Sequence, residues 1–501
     1  MSADIRIEPG DRDFFQKIAV TAFVNPFSEQ RPALDDALVG QALDPAVPDR
    51  SLAEVTRVVL ERLAKLEAGG KADLRRYSGK ERELMELVIL FGVYHQYCPA
   101  FDALIAEQVS LGTPSAPVGF AEEALSALTR HGIGQGEAAR FFAIFFQLRR
   151  AYYFIVHGLA GESPCIREFR RRLWQSVFTQ DIRLYDRFLL DRMEDFSTLL
   201  LGETGTGKGA SAAAIGRSGY IPFEPKQGRF AESFMRGFVA LNLSQFPETL
   251  IESELFGHCK GAFTGAVGAH QGVLARCSVH GSIFLDEIGD VSVPIQIKLL
   301  QVLQERTFCP VGSHEPLRFR GRVIAATNHS LDELRQQGLF RNDFFYRLCS
   351  DVIQVPPLRQ RLQENPGELR ILTRHLLTGM LGKAPAELMD RIEAVLSQVL
   401  PRDYAWPGNV RELEQAIRRI LLTGHYQPAE PQQPSTLHER FVAGVESHRL
   451  TADELVAGYC ALLYEECGTY EEVARRASLD PRTAKRYLTE KRWERQQPCR
   501  Q

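Results

Sequence analysis

Seven residues, Gly202-Glu203-Thr204-Gly205-Thr206-Gly207-Lys208, stand between an apolar run, STLLL, and a helix-compatible stretch, ASAAAIG. Glycines at this spacing let backbone N–H groups wrap a phosphate. The helix that follows adds the positive end of its dipole, and Lys208 can reach the β- and γ-phosphates. A plain glycine-rich turn is the alternative, and two fixed glycines and a lysine arise by chance in roughly 0.15 of chains this long, so the motif needs support. Gly209 departs from the general pattern, because it stands where a Ser or Thr hydroxyl would reach Mg²⁺.

A second group supplies that support. In GSIFLDEIGD, Asp286 and Glu287 end an apolar run, where a strand would deliver them beside the phosphate loop. One carboxylate can hold Mg²⁺ through water and the next can polarise an attacking water, the division of labour that nucleotide hydrolysis needs. An acidic pair after a strand is also a common helix start. Order favours chemistry: a third apolar run, RVIAATN, follows and ends in the polar Thr327 and Asn328.

The elements that must position these residues can be read from texture. With 501 residues, 44% hydrophobic and 25% charged, the chain is long enough for about three globular domains. Its formal net charge of −3 gives no overall attraction to nucleic acid or an anionic membrane, so such binding requires a local patch. Nine scattered Cys without a CxxC pair point to a reduced, cytoplasmic protein without a disulfide framework or zinc site. No membrane span is expected, because the most apolar stretch, Phe141 to Val156, contains Gln147, Arg149 and Arg150 and reads as a buried helix.

Residues 1–160 read as a helical regulatory or sensory region. One helix is expected to start at an N-cap on Ser51 and run through Leu52, Val55, Val59, Leu63 and Leu66 to Gly69 and Gly70. The strand–helix alternation of a receiver domain is absent, and the input the region senses is not legible. Residues 165–357 read as an α/β domain with a parallel sheet. Between its first helix and the stretch VALNLSQ lies a Gly- and Pro-rich segment, residues 216–237, expected to be a surface insertion.

The hexapeptide GAFTGA, inside KGAFTGAV (Lys260 to Val267), sets one aromatic and one Thr among small residues, as a mobile arm presenting a contact would. Its chance expectation in this length is on the order of 10⁻⁵ to 10⁻⁴. With LIESELFGHCKGAFTGA, GSIFLDEIGDVSVPIQIKLLQVLQERTFCPVGS, RVIAATN, FRNDFFYRL and WPGNVREL, the chain resembles the AAA+ domain of bacterial enhancer-binding proteins, the activators of sigma-54 RNA polymerase, over roughly residues 165–425.

The resemblance implies a multidomain architecture: a helical N-terminal region, an α/β AAA+ ATPase with parallel sheet (165–357) and helical lid (358–424), and a C-terminal helix-turn-helix. It implies ATP and Mg²⁺ as cofactors. The phosphate loop, Gly202 to Gly209, would bind nucleotide through Lys208. Asp286 would hold Mg²⁺ and Glu287 would prepare the water, with Asn242 restraining Glu287 until the partner is engaged. Asn328 would sense the γ-phosphate, and Arg411 would be the lid arginine. Arg341 and Arg347 match the arginine fingers that reach a neighbouring subunit's nucleotide, which implies a homo-oligomer, a hexamer. Phe263 and Thr264 would contact the sigma factor, so that ATP-driven loop movement remodels the closed promoter complex. Two other functions stay open: a nucleotide-gated DNA-binding regulator with weak or absent ATPase, motivated by Gly209, and an AAA+ remodeller of another client.

The last part begins with a Pro- and Gln-rich linker, HYQPAEPQQPS, within residues 425–449. In residues 450–501, Thr469 and Glu472 are expected to form a capping box, and Asp480 to cap a helix with Pro481 at its first position. Ala484, Tyr487 and Leu488 would share its inner face, leaving Arg482, Thr483, Lys485 and Arg486 outward. The pattern resembles the Fis-like helix-turn-helix of the same activators, which implies binding to double-stranded enhancer DNA. From Tyr470 to Gln501 nine Lys or Arg stand against five acids, a local excess suited to phosphates.

Overall fold

Short apolar runs with no polar alternation can be strands only if both faces are covered, and five of them form one parallel sheet. The computed structural model describes residues 5–43, 48–401, 403–428, 436–446, 448 and 450–489. The strands are β1 (Thr198–Leu201), β4 (Phe238–Asn242), β5 (Ser282–Asp286), β8 (Arg322–Thr327) and β9 (Asp351–Gln354), in the order β4-β5-β8-β1-β9. Short hairpins β2–β3 (Phe223–Glu224 with Arg229–Phe230) and β6–β7 (Thr307–Phe308 with Leu317–Arg318) stand apart. Because all five strands point one way, Leu201, Asn242, Asp286, Thr327 and Gln354 lie at the same edge, with Asn242 opposite Asp286 and Leu201 opposite Thr327 and Gln354. Central β8 is buried throughout.

The helices that come before the sheet are α1 (Pro9–Phe23), α2 (Arg31–Val39), α3 (Pro48–Ala68), α4 (Gly79–Leu111), α5 (Ala121–Arg130), α6 (Gln135–Gly158), α7 (Pro164–Phe178) and the single turn α8 (Ile182–Leu184). Helix α3 starts at Pro48 rather than at an N-cap on Ser51, since Pro is pre-set for the first helical turn. Its stripe, Val55, Val59, Leu63 and Leu66, is buried as the periodicity requires. Among the described residues one helix, α4, is long and apolar enough to cross a membrane, and 61% of that apolar window is buried within the fold.

Within the sheet domain follow α9 (Lys208–Gly216), α10 (Glu248–Phe256), α11 (Val273–Arg276), α12 (Val293–Glu305), α13 (Leu331–Gln336) and α14 (Asn342–Leu348). Helices α15 (Leu358–Glu364), α16 (Glu368–Leu381), α17 (Ala386–Val399) and α18 (Asn409–Thr423) form a separate core around Leu372, Ile392, Trp406 and Leu413.

Residues 216–237 are not a surface insertion. Their aromatic side chains complete the N-terminal core: Phe230 stacks on Phe146 with ring centroids 4.1 Å apart, Phe223 meets Phe142 at 4.9 Å, and Phe234 meets Phe154 at 5.4 Å. Backbone contacts reinforce the seam, with Val118 N donating to Gly228 O at 2.8 Å and Ser233 Oγ to Gly112 O at 2.6 Å. Arg150, fully buried in α6, donates to the carbonyls of Arg217 and Gly219 just past the end of α9, where a cation is favoured. The arginine that interrupts the apolar run of α6 thus joins the helical region to the sheet. Phe230→Ala should cost about 3–5 kcal/mol, as for other buried aromatic truncations, in a denaturant titration of the full chain. Lys226→Ala, exposed at the hairpin tip, should leave the midpoint unchanged.

A second seam joins the α6–α7 connection to the four-helix core. Arg361 and Glu368 form an ion pair at 2.7 Å with side chains 5% and 0% exposed. Glu368 also accepts from the backbone N–H of Glu162 at 2.7 Å and of Ser163 at 3.3 Å. A buried pair is tolerated where further hydrogen bonds satisfy it in this way.

The chain divides between Tyr426 and Gln427. Tyr426 is buried in the core of α15–α18, and residues 429–435 of the Pro- and Gln-rich stretch lie outside the described residues. The expected linker contains a helix, α19 (Leu437–Glu446), followed by α20 (Ala452–Cys467), α21 (Tyr470–Arg476) and α22 (Pro481–Thr489). Cys460, Leu463, Val473, Ala474 and Ala484 form their core. The expected capping box at Thr469 does not form, because Glu472 is drawn to Arg475 at 2.6 Å and Arg476 at 3.1 Å. A complete capping box sits instead at Thr451 and Glu454.

Candidate functional site

The parallel register brings the chemistry-bearing residues to one edge. Gly205 and Gly207 hold positive φ angles of 80° and 104°, which lets the loop fold over the start of α9. A Cβ on Gly205 would lie 2.2 Å from the carbonyl oxygen of Gly408, so the loop also needs glycine there to admit the α17–α18 connection. Lys208 is buried and donates to the carbonyl of Gly202 at 2.8 Å. Burial pushes its ammonium pKa down, against the pull of Glu287 and Asp286. Burial pushes the Asp286 carboxyl up, against the pull of Lys208. Each is therefore the other's compensating charge, and a phosphate or divalent cation entering between them would relieve the desolvation of its counterpart.

Asn328 joins the two motifs. Its side chain donates to Thr204 Oγ1 at 3.2 Å, and its backbone N–H donates to Glu287 Oε2 at 3.3 Å. Glu287 has a left-handed backbone, φ 56°, that turns its side chain out of the strand line. Asn242 lies opposite Asp286, but its Oδ1 accepts from Ser244 N at 3.0 Å and Ser244 Oγ at 2.8 Å rather than engaging Glu287.

Glu203, expected among the phosphate-loop residues, is a latch. It pairs with Arg359 at 2.5 Å and accepts from Asn409 Nδ2 at 3.1 Å, and the Arg359 guanidinium holds its carboxyl below the usual range. Asn409 also donates to the carbonyl of Thr204 at 3.1 Å and accepts from Leu358 N at 2.8 Å. Val410 N reaches the carbonyl of Gly205 at 3.1 Å, which sets neighbouring Arg411 against the loop. Asn409 is not among the residues singled out by sequence. Its signal is an Asn directly after Gly408 at the first position of α18, since Asn tolerates the left-handed backbone found there, φ 52°.

Arg341 and Arg347 make no contact with their own chain's phosphate loop among the described residues. Arg341 pairs with Asp343 at 2.7 Å, and Arg347 donates to the carbonyl of Leu303 at 2.9 Å.

The GAFTGA segment is more ordered than a free arm. Its base is closed by paired bonds between His258 and His270, at 3.0 and 2.9 Å, and by Cys259 N on Val311 O at 3.0 Å. Gly261 and Gly265 take positive φ, 82° and 104°, as the turn requires. Phe263, 40% exposed, rests edge-on against His258 at 4.9 Å, and Thr264 is exposed. The strand-like partner from residues 309–312 was not visible in the sequence, because the pairing is a single bridge with no periodicity.

This edge carries a glycine loop, an acidic pair and Asn328 between them on one sheet, and residues 180–354 match the family described as Sigma-54 interaction domain. Residues 363–449 match the AAA+ ATPase lid domain. The chain carries a sigma-54 interaction domain with its AAA+ lid. Over 230 residues it is 43% identical to the sigma54-dependent transcriptional activator SfnR of Pseudomonas putida, covering 45% of this chain and 57% of that protein. Over 263 residues it is 38% identical to the DNA-binding transcriptional regulator NtrC of Azospirillum brasilense, covering 52% and 47%. Over 306 residues it is 37% identical to the transcriptional regulatory protein GlrR of Escherichia coli (strain K12), covering 59% and 64%. The matches span about half the length of these curated relatives.

Gly209, where the general phosphate-loop pattern has Ser or Thr, is a departure with a measurable consequence. A Cβ there would meet only the Phe284 ring, at 4.0 Å, so a larger side chain fits. Gly209→Ser should tighten MgATP binding about tenfold, by adding a hydroxyl near the phosphates and removing a helix-start glycine. Titration with a fluorescent ATP analogue checks this.

Proposed function

We propose that this protein is a cytoplasmic, enhancer-bound activator that uses ATP hydrolysis to remodel the closed complex of sigma-54 RNA polymerase. The observation that carries the reading is Asn328, which touches both Thr204 in the phosphate loop and Glu287 in the acidic pair. A γ-phosphate between them would be read by one residue that also sets the carboxylate's position.

The donor set fits a magnesium nucleotide. Asp286 ends β5 beside Lys208, and one of its oxygens accepts the Glu287 N–H at 3.1 Å. Magnesium, when bound, would neutralise the β,γ-phosphates. Lys208 would release the Gly202 carbonyl to bind phosphate, Glu287 would accept hydrogen bonds from the attacking water, and Asn328 would register loss of the γ-phosphate. Arg411 faces this loop from the lid. Arg341 and Arg347 would act on a neighbouring subunit's nucleotide, in a ring proposed to be a hexamer.

Phe263 and Thr264 would carry the motion to the sigma factor. Exposed Arg482, Lys485 and Arg486, with half-buried Thr483, lie opposite buried Ala484 on α22, and Asp480 caps that helix by accepting from Arg482 N at 2.9 Å. We assign α21–α22 as a helix-turn-helix for duplex DNA, with Ser478 in a left-handed turn, φ 53°. Gly209 favours a second reading, a nucleotide-gated DNA-binding regulator with weak turnover. Strand-specific footprinting of a sigma-54 promoter tests the proposal. ATP should open it only with this protein and sigma-54 polymerase. Arg482→Ala with Lys485→Ala should weaken enhancer binding and lower its salt slope by about one for each phosphate no longer neutralised. Opening without ATP, or unchanged DNA binding, would contradict it.

A further inference from the structure

Helices α1, α2, α3, α4, α6 and α7 line a solvent-open cavity of about 1270 Å³. Protein interiors hold few voids larger than a water molecule, and the neighbouring core of this region, around Phe101, Phe142 and Phe146, is closely stacked. A space of this size exceeds the ~300–1,000 Å³ of most small-molecule sites, so it can take a ring-bearing guest with water beside it. Its lining includes Phe91, Tyr94, His95, Phe145, Leu148 and Trp174, and buried positions predominate among them.

The lining's polarity defines the guest. Charged groups around the cavity are largely matched within the protein: Arg31 with Asp35 at 2.9 Å, Arg149 with Asp102, and Arg140 with Asp186. Glu83, Glu137, Arg183 and Arg187 are exposed at its margin. Of the other charged lining groups, Asp36 accepts from Leu43 N at 2.8 Å, Arg167 and Arg170 donate to the carbonyls of Glu162 and Leu159, and burial pushes the half-buried Glu86 carboxyl up, while His95 adds a neutral group. His95 Nδ1 lies 2.8 Å from the carbonyl of Phe91 and so carries the proton, which leaves Nε2 as an acceptor. Burial holds this imidazole at a pKa of about 3, and its ring packs against Phe91 at 4.0 Å. A charged guest would give up its hydration where the lining arginines are already engaged and burial disfavours the charged form of Glu86, whereas an apolar ring would exchange water for aromatic faces.

The far side of α7 faces the catalytic sheet. Trp174 and Phe178 line the cavity, while on the same helix Ser176 Oγ lies 2.9 Å from Thr198 Oγ1 at the start of β1, and Arg172 pairs with Asp351 of β9 at 2.9 Å. Arg322 of β8 binds both Ser176 O and Thr198 Oγ1 at 2.8 Å. Strand β1 runs directly into Gly202. Helix α6, the opposite wall, ends in the connection held by Glu368 of the lid.

We infer that this cavity is an effector site for an uncharged, ring-bearing organic molecule with a single hydrogen-bond donor, and that its occupancy is read through α7 by the strand preceding the phosphate loop. The second half rests on the proposed ATPase; the first does not. The test uses the neutral probe N-phenyl-1-naphthylamine with the full chain. Its fluorescence should rise saturably with one site per chain, and ATP turnover should shift at saturation. Leu148→Trp, which fills the space, should weaken probe binding about tenfold or more while keeping the far-ultraviolet circular dichroism of the wild type. Ile144→Phe gives an independent filling variant if the first does not fold. Binding unaffected by a folded filling variant, or absent, overturns the site. Saturable binding with unchanged turnover overturns the coupling through α7. Absence of turnover with and without probe would instead count against the ATPase reading, and probe binding would still be read directly.

Discussion

Glu287→Gln should reduce ATP turnover by about 10²–10⁴-fold while leaving nucleotide binding within a few-fold of wild type. The amide is isosteric, so the left-handed turn at φ 56° and the bond from Asn328 N to the side-chain oxygen can both persist. The variant loses the carboxylate that accepts hydrogen bonds from water. Lys208, Asp286 and the glycine loop, to which nucleotide binding is assigned by the proposal, are untouched. Quenched-flow turnover and equilibrium binding of a fluorescent nucleotide separate the two. A variant that binds weakly in proportion to its loss of turnover would make Glu287 a structural residue of the turn.

The second large effect separates the motor from its output. Phe263→Ala or Thr264→Ala should abolish promoter opening and leave basal ATP turnover within about twofold. Phe263 is 40% exposed, and its ring contact is with His258, so truncation removes little buried area. The base of the loop is held by backbone bonds at His258, Cys259 and His270, which neither substitution touches. Loss of turnover together with loss of folding would show that the loop braces the domain instead.

The sheet edge that carries the glycine loop and the acidic pair was readable from sequence because each of its motifs is local. A glycine loop, an acidic strand end and a polar strand end keep their spacing in one dimension, and a parallel sheet then brings Leu201, Asp286 and Thr327 side by side without further information. The same holds for α3, whose buried stripe follows from its period. What escapes a sequence reading is non-local. The segment of residues 216–237 is rich in Gly and Pro and looks like exposed loop, yet its Phe residues serve a core assembled more than seventy residues earlier. Glu203 reads as a phosphate-loop residue and serves Arg359 and Asn409, more than 150 residues later. Thr469 and Glu472 have the spacing of a capping box, but two arginines within one turn compete for the carboxylate and hold its pKa down to about 2.

The seams make the N-terminal helices more than an appended sensor. Phe230 on Phe146, Arg150 on the end of α9, and Glu368 on the α6–α7 connection fix them to both the sheet domain and the four-helix core. A movement of α6 or α7 therefore meets the phosphate loop's strand on one side and the lid on the other.

ATP turnover per chain, measured across protein concentrations, tests the central claim most directly. Arg341 and Arg347 are engaged with Asp343 and the Leu303 carbonyl of their own chain, and their proposed role on a neighbouring subunit's nucleotide makes full activity depend on assembly. Turnover per chain should rise steeply with concentration and then level off as rings fill. Measurable turnover that is constant down to concentrations where the protein is monomeric, or its absence in assembled oligomer, would contradict the account.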